Sequence, residues 1–552
     1  MALDAPLLLR RQAELETGRA NFDSHWQEVG DFVMPNSANF VRTLTPGEKR
    51  MQRVFDSTPI SANERFAAAM QSMLTPATQR WHSLVPVDPR LEDSRAVRRW
   101  CDDATDVMFA CRYASRAQFG QAISEAFVSF GAYGNAVIFV DENVGQHLVY
   151  RAGHPSEHYF CENEYGVVDT MHRKFSLRAH QALSMFGAEK LPAKLAKAAT
   201  ETPDTPFDFL HVVQPARMKG YAGGDTRLPF SSCYIAIDDK AIVREAGYRT
   251  FPFAVGRYQT GPGEQYGRGP GITALPDIKM LNEMQKTILR AAHLVVSPPL
   301  LLPHDGVLAA FQMRPGGLNR GGVDEQGRQL VHPLMTGADV GLGEEVVQGV
   351  RTRINDIFNV SLFMILVDKP TGMTATEALI RAQEKGALMA PPGQRVQGEL
   401  LGGMIARELD ILGPNAANLL PPMPPELLDA GGYGAIKADY AGPINQAQKA
   451  QKGIGIQNFL SSLLPIMEQK PDVGDAVDFD MVTVEMSDVF DVPQSILRSP
   501  QAIAALRKQS QDQATAQQAV EAAPLLGAAA DKLAKAQATA GSSPNNLGAL
   551  LQ

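Results

Sequence analysis

Pro276-Asp-Ile-Lys-Met-Leu-Asn-Glu-Met-Gln-Lys-Thr-Ile-Leu-Arg-Ala-Ala-His-Leu-Val-Val296 and Gly343-Glu-Glu-Val-Val-Gln-Gly-Val-Arg-Thr-Arg-Ile-Asn-Asp-Ile-Phe-Asn-Val360 decide how this chain is read. In the first, Ile278, Leu281, Ile288, Ala292 and Val295, with Gln285 filling one step, recur at spacings of 3,4,3,4,3. That is a heptad-like helical seam. In the second, Val347, Val350, Ile354 and Ile357 repeat it at 3,4,3. The spacing predicts two helices packed on each other. Between them, Ser297 to Leu342 contains Ser297-Pro-Pro299 and Arg314-Pro-Gly-Gly317. Helices bracketing a small hairpin-like module suit a projecting stalk better than an active-site cleft.

The pattern before this pair predicts helices first and strands afterwards, an α+β, helix-rich organisation. Residues 1–34 read as a helix stopped by Pro35. Thr58-Pro59 opens another, with Thr58 as N-cap and Pro59 in the first turn. Val97, Trp100, Cys101, Ala104, Val107, Met108 and Cys111 mark a third, starting near Ser94. Phe119, Ile123, Phe127 and Phe130 mark a fourth, ended by Gly131 to Gly134. Strands are expected at Ala136–Val140, His147–Arg151, Val167–Arg173, Phe209–Val213, Tyr234–Ile237 and Ala254–Tyr258. Beyond the pair, Thr374-Ala-Thr-Glu377 is a capping box. The helical run it opens is expected to break at Gly386–Gly393, then resume to Leu412. Glu468 to Asp491 carries eight acids and one lysine, which in a monomer is a solvated acidic face. The tail from Pro500 begins helical and decays into a polar end.

Composition narrows the function. The 552 residues carry a net charge of −8, without the basic domain of a sequence-specific DNA binder. Four scattered cysteines, with no CxxC pair, suit reduced thiols. No secretory signal is expected, and no apolar run approaches the roughly 20 residues of a membrane helix. No P-loop, HExxH or GxSxG occurs. Gly261-Pro-Gly-Glu-Gln-Tyr-Gly-Arg-Gly-Pro-Gly271 has the wrong spacing for a dinucleotide fingerprint, and its prolines remove phosphate-binding donors. The best metal candidate, His154-Pro-Ser-Glu-His158-Tyr-Phe-Cys161, lacks a second cysteine pair. Asp102-Asp103 and Asp238-Asp239 read as solvent-facing pairs, one on a helix and one in a turn. No catalytic group, metal or cofactor is expected.

Several blocks in order then resemble one family. They are Trp26-Gln-Glu-Val-Gly-Asp-Phe-Val-Met-Pro35, Arg53-Val-Phe-Asp-Ser-Thr-Pro59, Ala67-Ala-Ala-Met-Gln-Ser-Met-Leu-Thr-Pro76 with Trp81-His-Ser-Leu84, and Phe127-Val-Ser-Phe-Gly-Ala-Tyr-Gly134. Pro252-Phe-Ala-Val-Gly-Arg257, Gly263-Glu-Gln-Tyr-Gly-Arg-Gly269 and Ala274-Leu-Pro-Asp-Ile-Lys-Met-Leu-Asn282 follow. Together, over roughly 7–430, they resemble the head-to-tail connector, or portal, proteins of short-tailed phages (podoviruses).

The resemblance implies a closed ring, a dodecamer, at one capsid vertex of the virion, assembled in the host cytoplasm. Residues 1–270 would be wing, 271–297 and 340–360 the stem helices, and 298–339 the clip. Residues 361–440 would complete the wing and carry a tunnel loop at 386–393, with crown and tail at 441–552. Implied partners are other copies of the chain, the terminase large subunit, tail adaptor proteins, major capsid and scaffolding proteins, and double-stranded DNA bound without sequence preference. A membrane is not among them. Candidates for the DNA channel are Lys279, Lys286, Arg290, Arg351 and Arg353 on the stem, with Lys385 and Arg395 flanking the loop. Leu388 and Met389 would touch DNA from the loop without gripping its phosphates. The basic residues divide between facing the bore and bridging neighbouring subunits. Other readings are a tail adaptor or minor capsid protein, or a cytosolic oligomeric enzyme with a scattered site.

Overall fold

The computed structural model describes residues 4–42, 45, 47–143, 148–217, 228–301, 323–334, 340–360, 391–414, 417–440, 443–470, 477–489, 498, 502–513, 532 and 535. The chain divides into two units, Met1–Gln451 and Lys452–Gln552.

The first unit opens with α1 (Ala5–Val33) and α2 (Thr58–Leu74), then β1 (His82–Pro86), α3 (Arg95–Arg112) and α4 (Phe119–Tyr133). Ser57 rather than Thr58 is the N-cap of α2, one residue before the expected position. The apolar stripes behave as their spacing predicts. Val97, Trp100, Cys101, Ala104 and Met108 of α3 are buried, as are Phe119, Ile123, Phe127 and Phe130 of α4. Burying each such large side chain contributes about 1.5–3 kcal/mol.

The strands form two main antiparallel sheets. β2 (Asn135–Asp141) lies between β3 (Val149–Gly153) and β9 (Phe253–Arg257). A five-stranded meander runs β4 (His158–Glu162), β5 (Val168–Arg178), β6 (Pro206–Pro215), β7 (Phe230–Ala236) and β8 (Ala241–Tyr248). α5 (Ala179–Phe186) and α6 (Ala193–Glu201) interrupt the meander between β5 and β6. Alternation along β6 covers both sheet faces. Leu210 and Val212 pack with Ala5 and Leu8 of α1, while Phe209 packs with Phe186 and Leu195 of α5 and α6.

β4 overturns the one metal candidate. His158 and Cys161 lie three apart on a strand and therefore point to opposite faces. The His158 ring hydrogen-bonds the His154 carbonyl at 2.9 Å, and Cys161 sits 3.9 Å from Nη2 of Arg11. Burial, followed by the nearby Arg173 charge, pushes the His158 pKa down to about 3. Among the described residues no group of three His, Cys, Asp or Glu could hold a metal.

The glycine-rich stretch Gly261–Gly271 has a packing role. Gly134, at φ +79°, ends α4, and a Cβ there would stand 2.3 Å from the nitrogen of Gly269. A Cβ on Gly269 would in turn meet the nitrogen of Gly134 at 2.7 Å and the carbonyl of Gly131 at 2.8 Å. Asn135 fastens the seam, accepting from Gly267 N at 2.8 Å and donating to its carbonyl at 3.2 Å. Two backbones touch without side chains between them, which only glycine permits.

From this seam starts α7 (Pro270–Val296), six residues earlier than the sequence suggested. Gly269 is its N-cap and Pro270 fills the first turn, where a missing N–H is harmless. Pro276 therefore lies inside the helix rather than at its start. β10 (Leu300–Leu301) and β11 (His332–Pro333) pair antiparallel, Leu301 opposite His332. α8 (Val340–Ile357) follows, three residues ahead of the expected frame, and Asn359 at φ +56° lies just past its end.

Residues 361–390 lie outside the described residues, including the capping box at Thr374 and Glu377. Residues 391–395 are helical, so the run has resumed by Pro391, ahead of the expected end of the break at Gly393, and the rest of that break, 386–390, lies outside the described residues. A π-helical turn, Val396–Leu401, leads into the helix Gly402–Leu412. β12 (Ile436–Tyr440) then pairs with β1. The helix Pro443–Gln469 runs into the second unit. There Val489, ending the helix Phe479–Val489, packs over Gly453, and Asp480 bridges Arg507 at 2.7 Å.

The returning segment is fixed in the core by a charge pair. Arg112 of α3 and Glu408 are both fully buried, joined at 3.1 and 2.5 Å. Tyr150 of β3 donates to the same carboxylate at 2.6 Å, and the Trp81 ring centroid lies 4.6 Å from the guanidinium. Removing one partner strands the other charge. Glu408→Ala should cost about 3–5 kcal/mol, seen as a lower urea midpoint. Arg112→Met with Glu408→Leu should recover most of that loss. A Glu408→Ala midpoint equal to that of the unmodified protein would remove the pair from the account.

Candidate channel-lining helix pair

α7 and α8 run antiparallel. Asp277 meets Arg353 at 3.4 Å, and Ile288 lies against Gly343, where a Cβ would stand 3.2 Å from its side chain. Position numbers on one helix rise as those on the other fall. Ile278, Leu281, Val347, Val350 and Ile354 are buried between the pair and the helices behind it. Toward the insert the seam loses its cover: Val295 is 54% exposed and Val296 85%.

A strap from the start of α2 binds both helices at their base. Asn282 Oδ1 accepts from Phe55 N at 2.8 Å, while its Nδ2 donates to the Arg53 carbonyl at 3.1 Å. Asp56 Oδ1 accepts from Thr58 N at 2.8 Å. Its Oδ2 receives Arg351 Nε and Nη2 at 2.9 and 2.8 Å. Burial pushes the Asp56 carboxyl up, but the Thr58 donors and the Arg351 guanidinium outweigh it and hold the pKa below its usual value. Sequence reasoning missed Asp56 and Asn282. An Asp two residues before Thr58 was the available signal, because such a carboxylate accepts from the backbone at a helix start.

The cations singled out from the sequence are mostly occupied within the chain. Lys279 bridges Glu28 of α1 at 2.5 Å. Lys286 bridges Glu283 one turn back at 3.0 Å. Arg351 holds Asp56 and also Glu344, the latter at 3.1 Å. Arg353 holds Asp277. Arg290 is exposed on α7. Arg395 bridges Glu399 at 2.9 Å, and Glu399 is itself held by the buried Arg257. Lys385, Leu388 and Met389 lie outside the described residues. Pairing within the chain was not an outcome the sequence offered. A cation already facing a carboxylate releases fewer counterions to a passing phosphate, so it holds DNA less firmly.

Residues 5–497 match the family described as bacteriophage head to tail connecting protein. The chain belongs to that family. A probable portal protein of Bordetella phage BPP-1 is 28% identical over 548 residues, covering 96% of this chain and 94% of its own. The portal protein of Salmonella phage epsilon15 is 25% identical over 529 residues, covering 93% and 92%. A chain from the virion of a native gene transfer agent particle shares 12% identity at a TM-score of 0.35, covering 78% of this chain and 94% of that one. The family and the two phage relatives make this a virion structural protein with portal function, α+β in fold.

The strap is open to direct test. Asp56→Asn should destabilise the first unit by about 1.5–3 kcal/mol at pH 7, because hydrogen bonds to a charged group are lost. Since folding lowers this pKa, the contribution is complete above the unfolded value of 3.8 and fades as pH falls through the folded value. The gap between Asp56→Asn and the unmodified protein, followed by denaturant titration, should therefore close in strong acid. A gap that persists unchanged at pH 2 would contradict the assignment.

Proposed function

We propose that the chain forms a closed ring around a central bore at one capsid vertex, with α7 and α8 as the stem of each copy. The observation that carries this is the antiparallel pair itself, rooted in the first unit and carrying an insert at its far end. Residues 1–270 and 361–440 are the wing in this reading, 298–339 the clip, 386–393 the tunnel loop and 441–552 the crown and tail. The clip docks the terminase large subunit during packaging and a tail adaptor afterwards. The wing and crown meet major capsid and scaffolding proteins. Lys279, Lys286, Arg290, Arg351, Arg353, Lys385 and Arg395, with Leu388 and Met389, border the DNA path. Most of the described cations there are partly neutralised, which favours sliding over gripping. The ring is a dodecamer assembled in the host cytoplasm, and DNA moves through it on energy supplied by a separate ATPase.

Light scattering on the purified protein should give a mass many times 59.8 kDa, and electron micrographs should show rings with a central hole. The same preparation with Mg²⁺ and ATP should turn over only at background. A persistent monomer that capsid components fail to assemble would defeat the reading.

The insert has a natural cutting place. Because Leu301 pairs with His332, residues 302–331 can be replaced by Asn-Gly, a two-residue hairpin turn, without separating the helix ends. That variant should still assemble into rings but should no longer package DNA. Normal packaging would remove the clip's proposed role, and loss of folding would make the insert part of the core.

A further inference from the structure

Resting on the ring reading above, we infer that the tip of the β4–β5 hairpin of one copy, with Tyr165 at its point, inserts into the groove between β12 and the helix Gly402–Leu412 of the next copy, where Glu164 meets Lys437.

The tip is a fixed projection. Asn163 Oδ1 accepts from Tyr165 N at 2.9 Å and from Val167 N at 3.0 Å. Gly166 makes the turn at φ +76°, and its carbonyl accepts from Nη2 of the buried Arg257 at 3.1 Å. The side chains at the point are uncovered: Tyr165 is 81% exposed and Val167 59%. A turn already ordered loses little entropy on docking, and tyrosine offers an apolar ring with a polar end.

The groove is a cavity of about 470 Å³. Gly398 and Gly402 line it and contribute no side chain to fill it. One wall is the free edge of β12. Val87 N donates to the Ala435 carbonyl at 2.8 Å, whereas Leu84 N turns away from β12 to Thr105 Oγ1 at 3.1 Å. Bonded and non-bonded pairs alternate along an antiparallel ladder, so Leu84 and Ala438 are a non-bonded pair. The N–H and carbonyl of Ala438 therefore point away from β1, and among the described residues neither is bonded. The carbonyl is an acceptor for the Tyr165 hydroxyl.

The charges match. At the tip Glu162 is paired with Arg257, which leaves Glu164 exposed without an ion-pair partner among the described residues. At the groove Asp410 is held by Arg407 and Thr250, each at 2.9 Å, which leaves Lys437 in the same condition.

Tip and groove flank one stretch of helix on opposite sides. Glu399 is held by Arg257, and a Cβ on Gly256 of β9 would stand 3.0 Å from Leu400. The tip, fastened to Arg257, lies on this side. On the other, Tyr440 of β12 donates to the Gln397 carbonyl at 2.7 Å beside the groove. A cyclic ring needs two different surfaces on each chain that fit each other. Rotation about its axis brings one flank of each copy against the opposite flank of the next, at equal height.

Cross-linking tests the contact. Glu164→Cys and Lys437→Cys in one chain, oxidised after assembly, should give a ladder of covalent oligomers on a denaturing, non-reducing gel. Rings mixed from the two single variants should stop at covalent dimers. Tyr165→Ala should raise the protein concentration needed for half-assembly by about tenfold or more, as loss of an aromatic anchor does. Glu164→Lys and Lys437→Glu should each weaken assembly, and together should restore it. Melting of monomeric samples should be unchanged throughout, because all three positions are exposed. If the unmodified protein makes rings but the double-cysteine variant gives no ladder, or Tyr165→Ala assembles at the unmodified concentration, this contact is wrong while the ring stands. If the unmodified protein never forms rings, the ring reading has failed and this contact with it.

Discussion

Arg112 and Glu408 lie 296 positions apart, and the first unit depends on their meeting. Neither charge is tolerable alone in a core. A guanidinium does not lose its proton, and a bare buried carboxylate is as costly. Tyr150 supplies a further donor to the carboxylate, and the rings of Trp81 and Phe109 flank the cation. After the chain has travelled out along α7 and back along α8, this requirement draws Gly402–Leu412 onto α3 and β3. Arg257 and Glu399 tie the preceding turn to β9 in the same way. β12 then completes a ladder with β1. The excursion is thereby closed behind the helix pair, and residues from both ends of the first unit share one core.

The same electrostatic economy extends to α7 and α8. With 52 basic and 60 acidic residues, the chain has enough acid to accompany its cations. On α7 and α8 it does so locally, with Glu28, Asp56, Asp277, Glu283 and Glu344 each beside a Lys or Arg. Exposed bridges of this kind add little stability individually. Their effect is on the field, which beside the helix pair is that of dipoles rather than of fixed positive points.

The helices were legible because their apolar residues recur at helical spacing. α4 buries every residue that the pattern named, and α3, α7 and α8 bury most or part of theirs, with Ile288 and Ala292 half-buried and Val295 exposed toward the insert. Boundaries were less legible. α7 begins at Pro270 because the Gly134–Gly269 contact delivers the chain there already turned, a tertiary fact with no local signature. β8 was missed because Arg244 and Glu245 dilute its apolar run, and β4 because His158 and Cys161 suggested ligands before they suggested a strand. The candidate site was legible as a set of cations but not as a set of pairs. Lys279 and Glu28 are 251 residues apart, and Arg351 and Asp56 are 295 apart. No spacing rule joins such positions.

The contact at Gly134 and Gly269 has a mechanical consequence. Helices usually meet through side chains, which yield under stress by changing rotamer. At the root of α7 the peptide planes themselves are in contact, and Asn135 clasps the peptide of Gly267 on both its donor and its acceptor side. A joint of that kind has no torsional slack to take up. Tension or torque applied at the far end of α7 therefore passes directly into α4 and β2, at the centre of the core. α7 is coupled to the core as a stiff lever, and a displacement at its far end is felt at its base.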